Sequence, residues 1–332
     1  MKCQHFMNAR WRWVIGTALW ATVTLVVLAC SDPPSIGRRP VDRVQLPDAQ
    51  YVGPKQCLLC HQDKAATLEG TRHWQQNDPR TPLANKGCES CHGPGSAHVE
   101  ARFKDEGDEE SPSELGIVSF GLKYAFPSEQ LDAKCLECHQ RKWTHWQQTT
   151  HAGNNVACVD CHKIHAPEHE KHLKAASTLS VCGSCHIDKR AAMERKSHHP
   201  LREGKMECTS CHDPHGTGGD ANLKATSKNR LCYECHTEKR GPFLWEHAPV
   251  SEDCTTCHDP HGTIHDKLLT ANLPYLCQRC HDMGNQHPGT LYGLQHGLAG
   301  DSPSARFFGR SCINCHTRIH GSNHPMGRAF HR

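Results

Sequence analysis

One five-residue pattern, C-x-x-C-H, occurs ten times in this chain and constrains its fold more than any other feature. With 22 cysteines and 29 histidines among 332 residues, chance would produce roughly 0.1 such motifs. The motifs, numbered 1 to 10 in chain order, use 20 of the 22 cysteines: Cys57, Cys60, Cys88, Cys91, Cys135, Cys138, Cys158, Cys161, Cys182, Cys185, Cys208, Cys211, Cys232, Cys235, Cys254, Cys257, Cys277, Cys280, Cys312 and Cys315. Each motif ends in a histidine: His61, His92, His139, His162, His186, His212, His236, His258, His281 and His316.

Two kinds of site use a C-x-x-C pair, a zinc half-site and the attachment sequence of c-type haem. A zinc site has no reason to fix a histidine directly after the second cysteine every time. Haem attachment requires that order, because cysteines one helical turn apart reach the two vinyl groups of one porphyrin and the next residue offers its imidazole to the iron. The motifs therefore predict ten covalently bound haem c groups, with the motif histidines as proximal ligands.

The second axial ligand decides whether each iron only transfers electrons or also binds substrate. Taken in pairs of motifs, the even-numbered motif is followed closely by a trailing histidine: His98, His165, His215, His261 or His320. Between the two motifs of a pair lies a linker histidine: His73, His151, His199, His247, and in the last pair either His287 or His296, of which His296 is preferred. Ten motifs thus obtain ten candidate distal ligands, with the assignment of each to an iron left open.

Two further observations bear on these ligands. The segments HAGNNVAC and HAPVSEDC both place His-Ala seven residues before a motif, which favours His151 over His145. Methionine is the competing distal ligand, but only four methionines follow the N-terminal segment, too few for ten irons. Two imidazoles give a lower potential than histidine with methionine, so the array is expected to work at reducing potentials.

The N-terminal segment has the layout of an export signal. Basic residues precede an apolar run at 13–29, which ends in the lipoprotein-like sequence Val27-Leu28-Ala29-Cys30-Ser31. We therefore expect residues 1–29 to be a lipoprotein-type signal peptide, Cys30 to be lipidated, and the proline-rich residues 30–50 to form a tether. An ordinary signal peptide or an uncleaved anchor remains the alternative. A lipidated Cys30 would attach the chain to a membrane.

Residues 51–325 form one haem-binding array, followed by a short tail at 326–332. Successive motifs start 22 to 47 residues apart, which leaves room for a turn, a short helix and a loop per cofactor. The expected fold is mostly irregular and α-helical: an elongated multihaem array with short helices and little or no sheet. The charged stretch 103–114 is expected to be a solvated loop. A net charge of +3 gives no indication of nucleic-acid binding.

The ten motifs, the repeated CHDPHG, the stretch EKRGPFLWEHAPV at 238–250 and CINCHTRIHGSNHP at 312–325 resemble the MtrA/DmsE-type decahaem c-type cytochromes over about residues 51–325. This resemblance implies ten bis-histidine haems in a staggered wire. The family is described as two fused five-haem modules, whereas the pairing above divides the chain into five two-haem units. It also implies partners: a porin-like outer-membrane β-barrel, periplasmic and extracellular cytochromes, or a terminal reductase.

The expected function is electron transfer, as a conduit on the periplasmic side of the outer membrane, with no side chain performing bond-making chemistry. Between 61 and 320 there is no apolar run of membrane-spanning length, so crossing a bilayer would require the barrel partner. A soluble periplasmic shuttle or electron store feeding a reductase is the main alternative. A multihaem reductase enzyme is less favoured, because all ten motifs end in histidine and distal candidates suffice. The direction of electron flow and the terminal donor or acceptor are left open.

Overall fold

In a computed structural model of the protein, the chain consists of short helices joined by turns. The structure describes residues 39–40, 48–104, 115–121, 124–140, 145–281, 312–325 and 327–330. Cys30, His287, His296 and most of the charged stretch 103–114 lie outside the described residues.

Within the described residues the longest α-helix has 12 residues. The α-helices are α1 (Pro54–Leu58), α2 (Gln62–Ala66), α3 (Glu89–His92), α4 (Ser96–Phe103), α5 (Ser128–His139), α6 (Thr150–Gly153), α7 (Cys158–Cys161), α8 (Thr178–Cys182), α9 (Ile187–Met193), α10 (Lys228–Tyr233), α11 (Ala248–Glu252) and α12 (Tyr275–Gln278). Single 3₁₀ turns span Trp146–Gln148, Cys208–Ser210, Asp220–Asn222, Thr237–Lys239, Cys254–Thr256, Asp266–Leu268, Cys312–Asn314 and Gly327–Ala329. None of the described helices is both long and apolar enough to cross a membrane.

Extended structure is minimal. Two strands of two residues each, β1 (Arg39–Pro40) and β2 (Tyr124–Ala125), pair in parallel, with Arg39 opposite Tyr124. Three isolated antiparallel bridges each join a motif histidine to the leucine eleven residues later. They are His162–Leu173, His212–Leu223 and His258–Leu269. The prediction of a mostly irregular, α-helical array with short helices and little or no sheet is confirmed.

The polypeptide builds only a small apolar core. Among the described residues no large side chain is buried below 2% exposure, and the cluster around Val118 and Phe126 is completed by Phe120 and Leu131 alone. Hydrophobic residues make up 36% of the chain, a thin supply for a protein of this length.

The motifs contact their sequence neighbours in two alternating ways. Within each pair of motifs the first cysteines contact each other: Cys57 with Cys88, Cys135 with Cys158, Cys182 with Cys208, Cys232 with Cys254, and Cys277 with Cys312. Between successive pairs the second cysteine of the even motif approaches the next motif, as Cys91 does with Cys135 and Cys161 with Cys185. This serial pattern gives the elongated array and follows the division into five pairs.

Candidate haem-binding sites

Each motif is one helical turn. In nine motifs the backbone N–H of the histidine donates to the carbonyl of the first cysteine four residues earlier, at 2.9–3.1 Å, and motif 3 lies at the end of α5. A helical turn places residues i and i+3 on one face, so both thiols of a motif point to the same side as the following imidazole. The local fold therefore presents two sulfurs and one ring nitrogen to a single flat group.

Buried polar side chains bind the two motifs of a pair together. Asp132, Thr178 and Asn229 lie three or four residues before an odd motif, and each is buried. Each accepts a hydrogen bond from the backbone N–H of the first cysteine of the next motif, at 2.7 Å from Cys158, 3.2 Å from Cys208 and 2.7 Å from Cys254. The same contact thus recurs in three pairs and explains why the first cysteines meet. Sequence reasoning missed these residues, although all three precede a C-x-x-C-H motif by nearly the same interval.

Nine motif histidines face one distal candidate each. The ring centroids are 6.0–6.5 Å apart in the pairs His61–His98, His139–His73, His92–His165, His186–His151, His162–His215, His236–His199, His212–His261, His281–His247 and His258–His320. The candidate partners of His316 lie outside the described residues.

These distances match those of two imidazoles that share one metal ion. A metal–nitrogen bond is about 2.0 Å, and a ring built from bonds of about 1.3–1.4 Å places each nitrogen roughly 1.1 Å from its centroid. Two rings on opposite sides of one iron therefore have centroids about 6.2 Å apart. Each pair leaves the space that one six-coordinate iron requires, and the residues present fit the haem c that the motifs predict.

The pairs follow one rule along the chain. Each of the four linker histidines that the structure describes faces the odd motif of the following pair, as His151 of the second pair faces His186 of the third. Every trailing histidine but the first faces the even motif of the preceding pair, as His215 of the third pair faces His162 of the second. Adjacent pairs therefore exchange histidines in both directions. No pair of motifs precedes the first one, so its trailing histidine, His98, faces His61 of its own pair.

Hydrogen bonds orient many of these rings through Nδ1. In the even motifs Nδ1 lies within hydrogen-bonding distance of a backbone carbonyl: Val118 for His92, Lys171 for His162, Ala221 for His212, Lys267 for His258 and Ala329 for His316. Three linker histidines face the carbonyl that precedes the next trailing histidine: Pro214 for His151, Pro260 for His199 and Ile319 for His247. When Nδ1 donates to a carbonyl, Nε2 is the nitrogen left free to bind a metal.

Burial favours the neutral, ligating form of these imidazoles. It lowers the pKa of His73, His92, His98, His162, His165, His247, His261 and His320 below the usual value near 6.5. Burial also raises the pKa of the thiols of Cys57 and Cys91 to about 11. The described residues hold no group of three or more histidine, cysteine or acidic side chains that could bind a metal ion.

Some histidines near these sites were not assigned as ligands from the sequence, among them His172, His198 and His265. His172 packs edge-on against His73 at 5.1 Å between centroids, and Nδ1 of both rings is buried without a hydrogen-bond partner. His198, next to the linker His199, has Nδ1 at 2.6 Å from the carbonyl of Arg195 and Nε2 at 3.2 Å from Glu203. Both its ring nitrogens are engaged, which separates it from the ligand candidates. His265 accepts a hydrogen bond from the Thr263 hydroxyl through its backbone carbonyl and donates one to the same oxygen through its backbone N–H.

Comparisons with known proteins agree with this site. Residues 198–241 and 247–286 match the family model described as the doubled CXXCH motif, which covers motifs 6 and 7 and then 8 and 9. The multihaem cytochrome MtrA of Shewanella baltica (strain OS185) is 39% identical over 284 residues, which is 84% of this chain and 81% of the relative. The chain belongs to the MtrA family of multihaem cytochromes. Like other members of this family it is a multihaem c-type cytochrome, with covalently bound haem c and a role in electron transfer.

Proposed function

We propose that the chain binds ten haem c groups, each held by two thioether bonds and two histidines, and that it carries electrons up to or across the outer membrane. The observation that carries this proposal is the set of nine imidazole pairs at 6.0–6.5 Å. For the tenth haem we propose His316 as the proximal ligand and His296, with His287 as the alternative, as the remaining distal candidate. The ligand set comprises all twenty motif cysteines and all ten motif histidines.

Bound haem c supplies one-electron redox chemistry, and the chain determines where that chemistry occurs. Its helical turns fix each attachment site and its histidine pairs fill both axial positions. Buried polar side chains hold the two motifs of a pair together in three of the pairs. Axial sites that are filled on both sides leave no open position for a substrate, so the residues support electron transfer rather than catalysis. The exchange of histidines between adjacent pairs makes every internal site depend on two segments of the chain.

The conduit role draws on the family. We propose that the array works on the periplasmic side of the outer membrane, inside or docked to a porin-like β-barrel, with Cys30 as a lipidated anchor. It would exchange electrons with periplasmic and extracellular cytochromes or with a terminal reductase. The alternative is a periplasmic shuttle with the same haems and no barrel, since the histidine pairs would be identical in the two cases.

One experiment separates the two. The full chain is expressed in its native host with an affinity tag after 332, and solubilised outer membranes are purified on that tag. A conduit co-purifies with a barrel protein, and vesicles containing the complex pass electrons from external dithionite to an enclosed electron-accepting dye. Recovery of a haem-loaded chain from the periplasmic fraction alone, with no barrel bound, would support the shuttle and exclude the conduit. A Cys30→Ser chain tests the anchor: it should leave the membrane fraction if acylation holds it there.

A further inference from the structure

The residue two positions before a trailing histidine differs along the array. It is Ser96, Lys163, Asp213, Asp259 and Arg318 in chain order. Only the third and fourth pairs, which carry the sequence CHDPHG, have a carboxylate there. Because a trailing histidine faces the even motif of the preceding pair, these two carboxylates belong to the sites of motifs 4 and 6.

Both carboxylates face the imidazole of their trailing histidine. Asp213 Oδ1 accepts a hydrogen bond from the backbone N–H of His215 at 3.0 Å and lies 3.2 Å from Nδ1 of the same ring. Asp259 Oδ1 accepts from the backbone N–H of His261 at 3.0 Å and lies 3.6 Å from its Nδ1. The first contact is a hydrogen bond, whereas at the second the carboxylate acts mainly through its charge. Oδ1 is held in place by the backbone N–H in both cases.

We propose that Asp213 and Asp259 are positioning residues that lower the reduction potential of the haems at motifs 4 and 6 relative to those at motifs 2 and 8. This inference rests on the proposed ligand pairs His162–His215 and His212–His261. A carboxylate that accepts from Nδ1–H increases the basicity of the imidazole and strengthens its bond to the metal. A more basic axial ligand favours the ferric state, which carries one more positive charge than the ferrous state.

The neighbouring sites lack this contact. At the site of motif 2, Nδ1 of His165 lies 2.9 Å from the neutral hydroxyl of Thr67, and the position of the aspartate is taken by Lys163. At the site of motif 8 the position before His320 is taken by the cation Arg318. At this position the sites of motifs 4 and 6 therefore carry a carboxylate, whereas those of motifs 2 and 8 carry a cation. The two carboxylates lie at the centre of the array and the two cations lie nearer its ends.

An aspartate two residues before a hydrogen-bonded N–H also stabilises a turn by itself. Replacement by asparagine separates the two roles, because the amide oxygen keeps the acceptor for the backbone N–H while the negative charge is lost. A matched control is available at the same site. Asp188 on α9 is one of the charges that face His261, and it pairs with Lys189 at 3.0 Å. Asp188→Asn removes an equal charge that does not contact the ring.

The test is a spectropotentiometric titration of the purified holoprotein. Asp213→Asn should raise the ferrous-to-ferric ratio of one haem in ten about tenfold at a fixed potential, which is about 59 mV for one electron. Asp259→Asn should have a smaller effect of the same sign, and in the double variant two-tenths of the absorbance change should move to higher potential. Electron paramagnetic resonance should show one or two low-spin signals shifted, with no high-spin signal gained. Asp188→Asn should leave the titration nearly unchanged.

The converse variant adds the contact where it is missing. Arg318→Asp places a carboxylate two residues before His320 and should move one-tenth of the absorbance change to lower potential. The inference is overturned if all aspartate variants titrate as the wild type does, or if Asp188→Asn shifts the curve as far as Asp259→Asn. If the wild-type protein contains high-spin haem or fewer than ten haems, the proposed ligand pairs fail and this inference fails with them. A ten-haem low-spin wild type with unshifted variants refutes only the role of the aspartates.

Discussion

Replacement of Asn229 by alanine should loosen the contact between motifs 7 and 8 more than any substitution on the surface. The amide is buried, with Oδ1 accepting from the N–H of Cys254 at 2.7 Å and Nδ2 donating to the carbonyls of Val250 and Ser251 at 2.9 and 3.0 Å. A buried N–H left without an acceptor costs about 1–3 kcal/mol, and each lost hydrogen bond to a carbonyl costs about 0.5 kcal/mol or more. The sum is about 3 kcal/mol.

Because 1.4 kcal/mol is about a factor of ten, the amide of Cys254 should exchange its hydrogen about 100-fold faster in the variant. Hydrogen–deuterium exchange of the holoprotein, read by mass spectrometry on peptides spanning 247–258, measures this opening locally. It avoids a global unfolding curve, which is not two-state in a protein with many cofactors. Asn229→Asp keeps the acceptor for the Cys254 N–H, so its exchange rate should lie between those of the wild type and Asn229→Ala.

A matched control uses the same substitution elsewhere. Asn154 is exposed and its Nδ2 donates to the carbonyl of Thr150 at 2.7 Å, so Asn154→Ala should change exchange at 150–158 by less than about fivefold. The reasoning is refuted if Asn229→Ala leaves exchange at Cys254 within about threefold of the wild type, or if the two alanine variants behave alike.

Three further outcomes follow from the geometry. Gly262 has φ 137° and lies against a backbone carbonyl of α9, so Gly262→Ala should destabilise the docking of the third pair on the fourth by about 3 kcal/mol. Gly204 has φ 67° and lies in open space, so Gly204→Ala should cost about 1 kcal/mol. The rate of limited proteolysis of the two variants measures the difference. His151→Met should keep its site low-spin but raise the potential of one haem by on the order of 0.1 V, within the roughly 0.8 V range set by axial ligands, and His145→Met should not. Arg80, two residues after Asp78, lowers the pKa of that carboxyl to about 2. The stability that this contact contributes is therefore present above the ordinary pKa of 3.8 and is lost as the pH falls towards 2. Protection of the amides at 78–81 against hydrogen exchange should differ between wild type and Asp78→Asn at pH 6 and converge near pH 2.

The sequence was sufficient to predict the cofactor class and the general fold, because a covalent attachment motif is a local pattern. The C-x-x-C-H turn needs only five residues, and its spacing excludes large helices or sheets between motifs. The family assignment, carried by stretches such as 238–250, was confirmed by the relative that matches 84% of the chain.

Which histidine faces which motif could not be predicted, because each pairing joins segments far apart in the chain. His258 and His320 are 62 residues apart in sequence, yet their rings lie 6.2 Å apart. Local patterns provided a set of candidate ligands, but they carry no information about which distant segments of the chain dock together. The docking depends on contacts such as that of Gly321, which at φ 134° lies against Phe243, and of Trp245, whose backbone pairs with Ser322. The glycine directly after His320 was visible in the sequence, but its role became clear only with the partner segment in place.

The buried polar residues before the odd motifs were missed for a related reason. Asp132, Thr178 and Asn229 differ chemically, so no sequence repeat identifies them. What they share is the ability to accept a hydrogen bond from one backbone N–H at the start of the next motif. Such a shared function becomes visible only when the two motifs are seen side by side.

The central claim is that the iron of every haem is bound by two axial histidines. Nine of the ten sites correspond to the histidine pairs described above. The most direct measurement combines the intact mass of the purified chain with its low-temperature electron paramagnetic resonance spectrum, recorded for the wild type and for His199→Ala. The account predicts ten haems per chain, no high-spin ferric signal in the wild type, and in the variant one haem in ten converted to high spin, at the motif of His236. A wild type with fewer than ten haems or with high-spin signal, or a His199→Ala variant that stays entirely low-spin, would contradict it.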